Sequence, residues 1–205
     1  MNRFIAIASI FAATQTFAAE PAAAAKVDPK AAFERMKTLA GEWQGQAGHG
    51  EQKFPATVTY KLASNGSVVM ETLMPGTPHE MISMYHLADG ELVMTHYCAM
   101  ANQPRMKLDT AASTQDELKF AFAGGTNLDP AKDGHIHAGT LKFDGAALTA
   151  DWTFWAGGKE AGHNVFNLKR ASATPAPVAA PAPAAAPAPA AAPAKGKSAA
   201  AHSKH

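Results

Sequence analysis

His135-Ile136-His137 sets two imidazoles two residues apart. On a β-strand such residues project from one face about 6.5 Å from each other, close enough to share one ion or one polar ligand. With His96 they would make an open three-imidazole set of the kind that holds zinc. Glu71 adds a carboxylate, and Tyr60, Ser83, Tyr85 and Cys98 add hydroxyl and thiol groups. Burying an unpaired carboxylate or imidazolium costs on the order of several kcal/mol, so such groups need partners if they face a core. Four uses stay open: a structural hydrogen-bond network, a polar-lined pocket for a small organic molecule, a metal or haem site, and catalysis.

Other residues bear on that choice. Methionines cluster between Met70 and Met106 and would suit soft copper, but they also fill gaps in ordinary cores. Cys98 is the single cysteine, which excludes an intramolecular disulfide and fits a small buried hydrophobe better than a nucleophile. The loop Ala101-Asn102-Gln103-Pro104-Arg105 could set Asn102 and Arg105 at a pocket mouth, where Arg105 would suit a carboxylate-bearing ligand.

The elements that must position these residues are short strands. Asp28-Pro29 reads as the capped start of an amphipathic helix carrying Phe33, Met36 and Leu39, ended by Gly41. Beyond it the pattern alternates with period two, as in Val58-Thr59-Tyr60-Lys61-Leu62 and Leu118-Lys119-Phe120-Ala121-Phe122. Asn65-Gly66, Asp89-Gly90, Asp144-Gly145 and Gly157-Gly158 punctuate the strands as two-residue hairpin turns.

Those turns predict which side chains share a face. Asn65-Gly66 pairs Tyr60 with Glu71 and Val58 with Leu73. Asp89-Gly90 pairs Tyr85 with Met94, Ser83 with His96 and Met81 with Cys98. Asp144-Gly145 pairs Leu141 with Leu148, His137 with Trp152 and His135 with Phe154. Each set is mostly apolar and is expected to face inward, which would carry Glu71 and the three histidines into one lumen walled by Trp152, Phe154, Tyr85, Leu73 and Phe120. The fold expected is all-β: an antiparallel up-and-down barrel of about 8–10 strands with a short N-terminal helix.

The stretch Leu39-Ala40-Gly41-Glu42-Trp43 resembles the entry to the first strand of lipocalin-like (calycin) barrels. That resemblance implies an Arg or Lys of the last strand over the tryptophan, here Arg170 over Trp43. The tract from Met70-Glu71-Thr72 through Pro75-Gly76-Thr77-Pro78-His79-Glu80 to Asn102-Gln103-Pro104-Arg105 resembles a family of secreted bacterial proteins of unknown function. It implies a lipocalin-like fold and, by analogy, a small hydrophobic or amphipathic ligand. Related barrels that hold haem use an inward histidine.

The ends set the context. Residues 1–18 read as a secretory signal, with a basic start, an apolar run and Thr16-Phe17-Ala18 as a cleavage site. The apolar run is too short to span a bilayer. Residues 19–28 form a linker and 29–170 the barrel domain. Residues 171–205 are an Ala/Pro-rich tail with a weakly basic tip, expected to stay unfolded and able to reach an anionic envelope surface. The expected location is the periplasm or the outside. Between residues 27 and 170 there are 13 Lys and Arg against 16 Asp and Glu, which offers no basic stripe for nucleic acid. The reading is a non-enzymatic binder of an unidentified small molecule, its site drawn from Tyr60, Glu71, Ser83, Tyr85, His96, Asn102, Arg105, His135, His137 and Trp152. The alternatives are a metal or haem protein using His96, His135 and His137, and an envelope module tethered by the tail.

Overall fold

A computed structural model describes residues 26–171. The expected signal, the linker up to residue 25 and the tail from residue 172 lie outside them. Helix α1 (Pro29–Lys37) precedes ten strands: β1 (Gly41–His49), β2 (Gln52–Ala63), β3 (Val68–Leu73), β4 (Met81–Ala88), β5 (Glu91–Tyr97), β6 (Gln103–Leu108), β7 (Glu117–Thr126), β8 (His135–Asp144), β9 (Ala147–Ala156) and β10 (Lys159–Arg170). Each strand pairs antiparallel with its neighbours in sequence, and β1 pairs with β10, so the sheet closes into a barrel without a free edge.

Turn chemistry accounts for most of the register. Asp89 and Gly90 both have positive φ, at 50° and 85°, as a type I′ hairpin requires. Ala88 then meets Glu91, Tyr85 meets Met94 and Ser83 meets His96. Across the Asn65-Gly66 turn, Tyr60 meets Glu71 and Val58 meets Leu73. These pairings are the expected ones. The β8–β9 turn differs. Asp144 pairs with Ala147, so Gly145 and Ala146 form the loop, with positive φ (56°) at the first position alone, the pattern of a type II′ turn. Leu141 consequently faces Ala150 rather than Leu148, and Gly139 rather than His137 faces Trp152.

Helix α1 packs its buried side, Ala32, Phe33 and Met36, against β4 and β5. Its N-cap Asp28 accepts from the Lys30 amide at 3.2 Å. The helix stops at Lys37, short of Gly41, which instead opens β1 with φ of 126°. A Cβ at Gly41 would lie 3.0 Å from the Arg170 guanidinium, so the missing side chain leaves that group its room. Arg170 stacks over the Trp43 ring at 4.5 Å and donates to the Ala40 and Thr38 carbonyls at 2.8 and 2.6 Å. Trp43 Nε1 donates to the Leu39 carbonyl at 2.7 Å. One guanidinium thus ties the last strand, the first strand and the end of α1 together, as the expected stacking required.

Replacing Arg170 by Ala removes the stack and both carbonyl contacts. Urea unfolding should show a loss of about 1–2 kcal/mol, kept low because the side chain is exposed. Arg170→Lys should recover less than half, since an ammonium cannot stack and fork to two carbonyls together. Wild-type stability in Arg170→Ala would contradict this role.

Candidate functional site

The inward faces of β2, β3, β4 and β5 carry a polar tier in the middle of the lumen. Glu71 has no exposed surface, and Tyr60, Ser83, Tyr85 and His96 are no more than 3% exposed. Tyr60 donates its hydroxyl to Glu71 Oε1 at 2.7 Å and Tyr85 donates to Oε2 at 3.1 Å. Ser83, the cross-strand partner of Glu71, stands beside the carboxylate. Ser83 Oγ lies 3.0 Å from His96 Nδ1.

Burial governs the protonation of this tier. It raises the Glu71 carboxyl above its usual range, against hydroxyl donors that favour the ionised form. Burial and then the nearby Glu71 charge hold the Tyr60 hydroxyl well above its ordinary range, and the same two causes act on Tyr85. Both phenols are therefore neutral donors. Burial alone lowers His96 to about 4, which makes it a neutral imidazole near pH 7.

Beyond the tier, at the barrel end opposite α1, a cavity of about 500 Å³ opens. Its wall includes Leu73, Met81, His96, Trp152, Phe154 and Phe166, and among the described residues no Lys, Arg, Asp or Glu lines it. Phe54 and Met100 form an apolar lip, 43% and 54% exposed. Cys98, Asn164 and the exposed His79 also reach the wall. Trp152 is 3% exposed, and its Nε1–H is buried without a partner. The six-membered edge of that indole lies over Gly139, where a Cβ would come within 2.1 Å of Cζ3. The pyrrole edge, with Nε1, is on the other side of the ring.

The expected constellation is thus brought together only in part. Tyr60, Glu71, Ser83, Tyr85 and His96 converge, and Trp152 shares the cavity with His96. His135 and His137 do not join them. A bulge in β8 between Ile136 and Ala138 inserts His137 as an extra residue, so Ile136 pairs with Phe154 and His135 with Trp155. Ile136 and Phe154 line the cavity, and the histidines fall outside its wall. His135 Nδ1 must donate to the Asp133 carbonyl at 2.8 Å, which leaves its Nε2 to accept from His137 Nδ1–H at 3.0 Å. The His137 ring is stacked between Trp155 at 3.8 Å and Phe122 at 4.6 Å. The three-imidazole metal set of His96, His135 and His137 is therefore overturned. Among the described residues, no group of three or more His, Cys, Asp or Glu could hold a metal ion.

Two further expectations change. Arg105 is exposed on β6 between inward Pro104 and Met106, so strand alternation turns it to solvent and away from the mouth. Asn102 is buried and donates Nδ2 to the Gly134 carbonyl at 2.8 Å, bracing two loops rather than facing the cavity. Of the expected walls, Tyr85 and Phe120 pack edge-to-face at 5.8 Å and do not line the cavity. Met74 follows inward-facing Leu73 and also reaches the wall, because its φ of 51° breaks the strand alternation. Phe54, Asn164 and Phe166 were missed. Extending the alternation Phe54-x-Ala56-x-Val58 and Asn164-x-Phe166-x-Leu168 would have found them.

No family model and no curated protein matches the chain. Among solved structures, the chain is similar to the crystal structure of Rv2717c from M. tuberculosis, with 18% identity over 69% of this chain and 98% of that one, at a TM-score of 0.45.

The depressed His96 value makes a prediction. An unfolded imidazole titrates near 6.5, so stability present above that pH is lost as the pH falls toward about 4, by up to about 3 kcal/mol. Glu71 acts oppositely in acid: its raised pKa favours the fold when protonated. Replacing His96 by Gln should remove the acid-side loss and leave the Glu71 effect, so the variant should gain stability relative to wild type on going from about pH 7 to about pH 5. Parallel urea midpoints for the two proteins over that range would contradict it.

Proposed function

We propose that this barrel is a non-enzymatic carrier or receptor for a small, mainly apolar molecule, held at the end of the barrel away from α1. The observation that supports it most is a mainly apolar cavity of about 500 Å³ whose wall carries the buried His96 imidazole. The cavity size falls within the range typical of small-molecule sites. The ligand-contacting residues proposed are His96 and Trp152, with Leu73, Phe154 and Phe166 as walls. Tyr60, Glu71, Ser83 and Tyr85 support His96 from behind. An enzymatic role has less support, because an imidazole lowered to about 4 is a weak base near pH 7.

The proposed setting is the periplasm or the cell exterior, on the strength of the N-terminal signal-like sequence, with residues 171–205 as a solvated tail. The proposed kinship is with lipocalin-like barrels. A second reading keeps haem as the ligand, favoured by one observation: His96 lines an apolar cavity with Nδ1 engaged by Ser83, so Nε2 is the nitrogen free to bind iron.

Native mass spectrometry of protein taken from its own host should show an added organic mass that His96→Ala or Trp152→Ala reduces. Because Cys98 lines the cavity, the bound molecule should also slow alkylation of that thiol severalfold. Protein that is repeatedly empty, with Cys98 equally reactive before and after extraction of small molecules, would refute the binder reading. Haemin titration separates the second reading: a sharp Soret shift lost in His96→Ala supports it, and the same spectrum in both proteins rejects it.

A further inference from the structure

One side of the cavity is rich in sulfur, which goes beyond the proposed function and does not rest on it. Met74, Met81, Cys98 and Met100 all border the open space, and His96 borders it with them. Methionines that fill gaps in the packed core are placed differently: Met36, Met94 and Met106 have no exposed surface and lie outside the cavity wall. Strand geometry groups three of the donors. His96 and Cys98 both face the cavity, with the exposed Tyr97 turned outward between them. Residues so spaced on a strand are about 6.5 Å apart. Ser83 pairs with His96 and Ile82 with Tyr97. The next step of that register sets Met81 opposite Cys98, at about 5 Å between Cβ atoms. Met81 pairs on its other side with Leu73, and Met74 follows in the chain.

His96 has a ring nitrogen to add. Its Nδ1 meets Ser83 Oγ at 3.0 Å. Its Nε2 has no partner among the described residues, yet unlike Trp152 Nε1 it keeps accessible surface, and the space that His96 borders is the cavity. A serine hydroxyl can accept as well as donate, so a metal on Nε2 leaves Nδ1–H to donate to Ser83, the kind of outer partner that metal-bound imidazoles have. Charge then limits the ion. Among the described residues no Lys, Arg, Asp or Glu lines the cavity, and the Glu71 carboxylate behind it is engaged by two phenols. A thiol that binds a metal loses its proton, and the resulting thiolate cancels the charge of a monovalent ion. Thioethers and a neutral imidazole add none. A divalent ion would leave one positive charge without a counter-charge in an apolar wall. Thiolate and thioether sulfur are also soft donors, which suit Cu(I). The set contains only two residues of the His, Cys, Asp and Glu class, so it stands apart from the combinations already excluded.

We propose that the open end of the barrel binds one soft monovalent ion, Cu(I), through Cys98 Sγ, Met81 Sδ and His96 Nε2, with Met74 at hand as a further thioether. Binding forms a copper–sulfur bond and releases the thiol proton to solvent, and the metal keeps its oxidation state. The rotatable bonds of Met81 let its sulfur close the remaining distance.

Anaerobic titration of the tag-free full chain with Cu(I), in competition with a chromogenic Cu(I) chelator near neutral pH, tests it. One Cu(I) per chain should be retained, Cys98 should become resistant to alkylation, and X-ray absorption should show a shell dominated by sulfur. Cys98→Ser and Met81→Leu should each weaken retention at least about tenfold, the scale on which even outer partners of a metal act. Met81→Leu conserves volume and removes only the thioether. Met84→Leu, on the same strand but outside the cavity wall, should bind as wild type does. Zn(II) should leave the alkylation rate of Cys98 unchanged. The proposal is overturned if the chelator strips all the copper, if the shell is all nitrogen, or if Zn(II) protects Cys98 equally. It is overturned as well if Cys98→Ser holds copper like wild type, which would place the ion elsewhere, as on His202 and His205 of the tail. Each of these failures leaves the organic-ligand reading standing, because that reading is judged by the bound organic mass.

Discussion

A carboxylate with no exposed surface, inside a barrel and without any cation beside it, is the constraint around which the lumen is organised. Left alone, Glu71 would cost far more than a domain of this size can spare. Tyr60 and Tyr85 each bring a hydroxyl to it from the flanking strands, and charge-assisted bonds of this type contribute about 1.5–3 kcal/mol apiece. Ser83, next to the carboxylate on β4, engages Nδ1 of His96 at 3.0 Å and so orients the imidazole. His96 in turn forms part of the cavity wall beyond the tier.

The two ends of the barrel are built on different principles. At the α1 end, apolar side chains such as Met36, Leu92, Leu118 and Leu148 fill the lumen, and the Arg170–Trp43 stack locks the closure. At the other end the side chains stop short of filling the space, and Phe54 and Met100 remain exposed around it. The Glu71 tier separates the two. It supplies enough satisfied polar bonding to hold register between β2, β3, β4 and β5 where an apolar core would otherwise have to continue.

The outer cluster of His135, His137, Phe122 and Trp155 shows how one inserted residue redirects chemistry. The Asp133 carbonyl forces the tautomer of His135, which forces that of His137, and the aromatic rings on either side hold the second imidazole flat. The result is a rigid, hydrogen-bonded pair on the opposite face of the strand from the cavity. With no third ligand within reach among the described residues, the pair braces the segment entering β8 instead of forming a metal centre.

Alternation and turn chemistry, both local properties, were enough to specify an antiparallel barrel and to pair Tyr60 with Glu71 and Ser83 with His96. Asp-Gly, and Asn-Gly with the residues beside it, take positive φ where the chain reverses, and that anchors register for the strands they join. The same reasoning erred at β8, where the turn settled on Gly145-Ala146 and a bulge followed at His137. A bulge has no fixed sequence mark, because whether the chain absorbs an extra residue depends on how the partner strand packs, here with Trp152 lying over Gly139. Which end of the lumen is left unfilled, and which buried donor is left without a partner, likewise followed from the summed volumes and positions of side chains on all ten strands, a quantity that no single stretch of sequence contains.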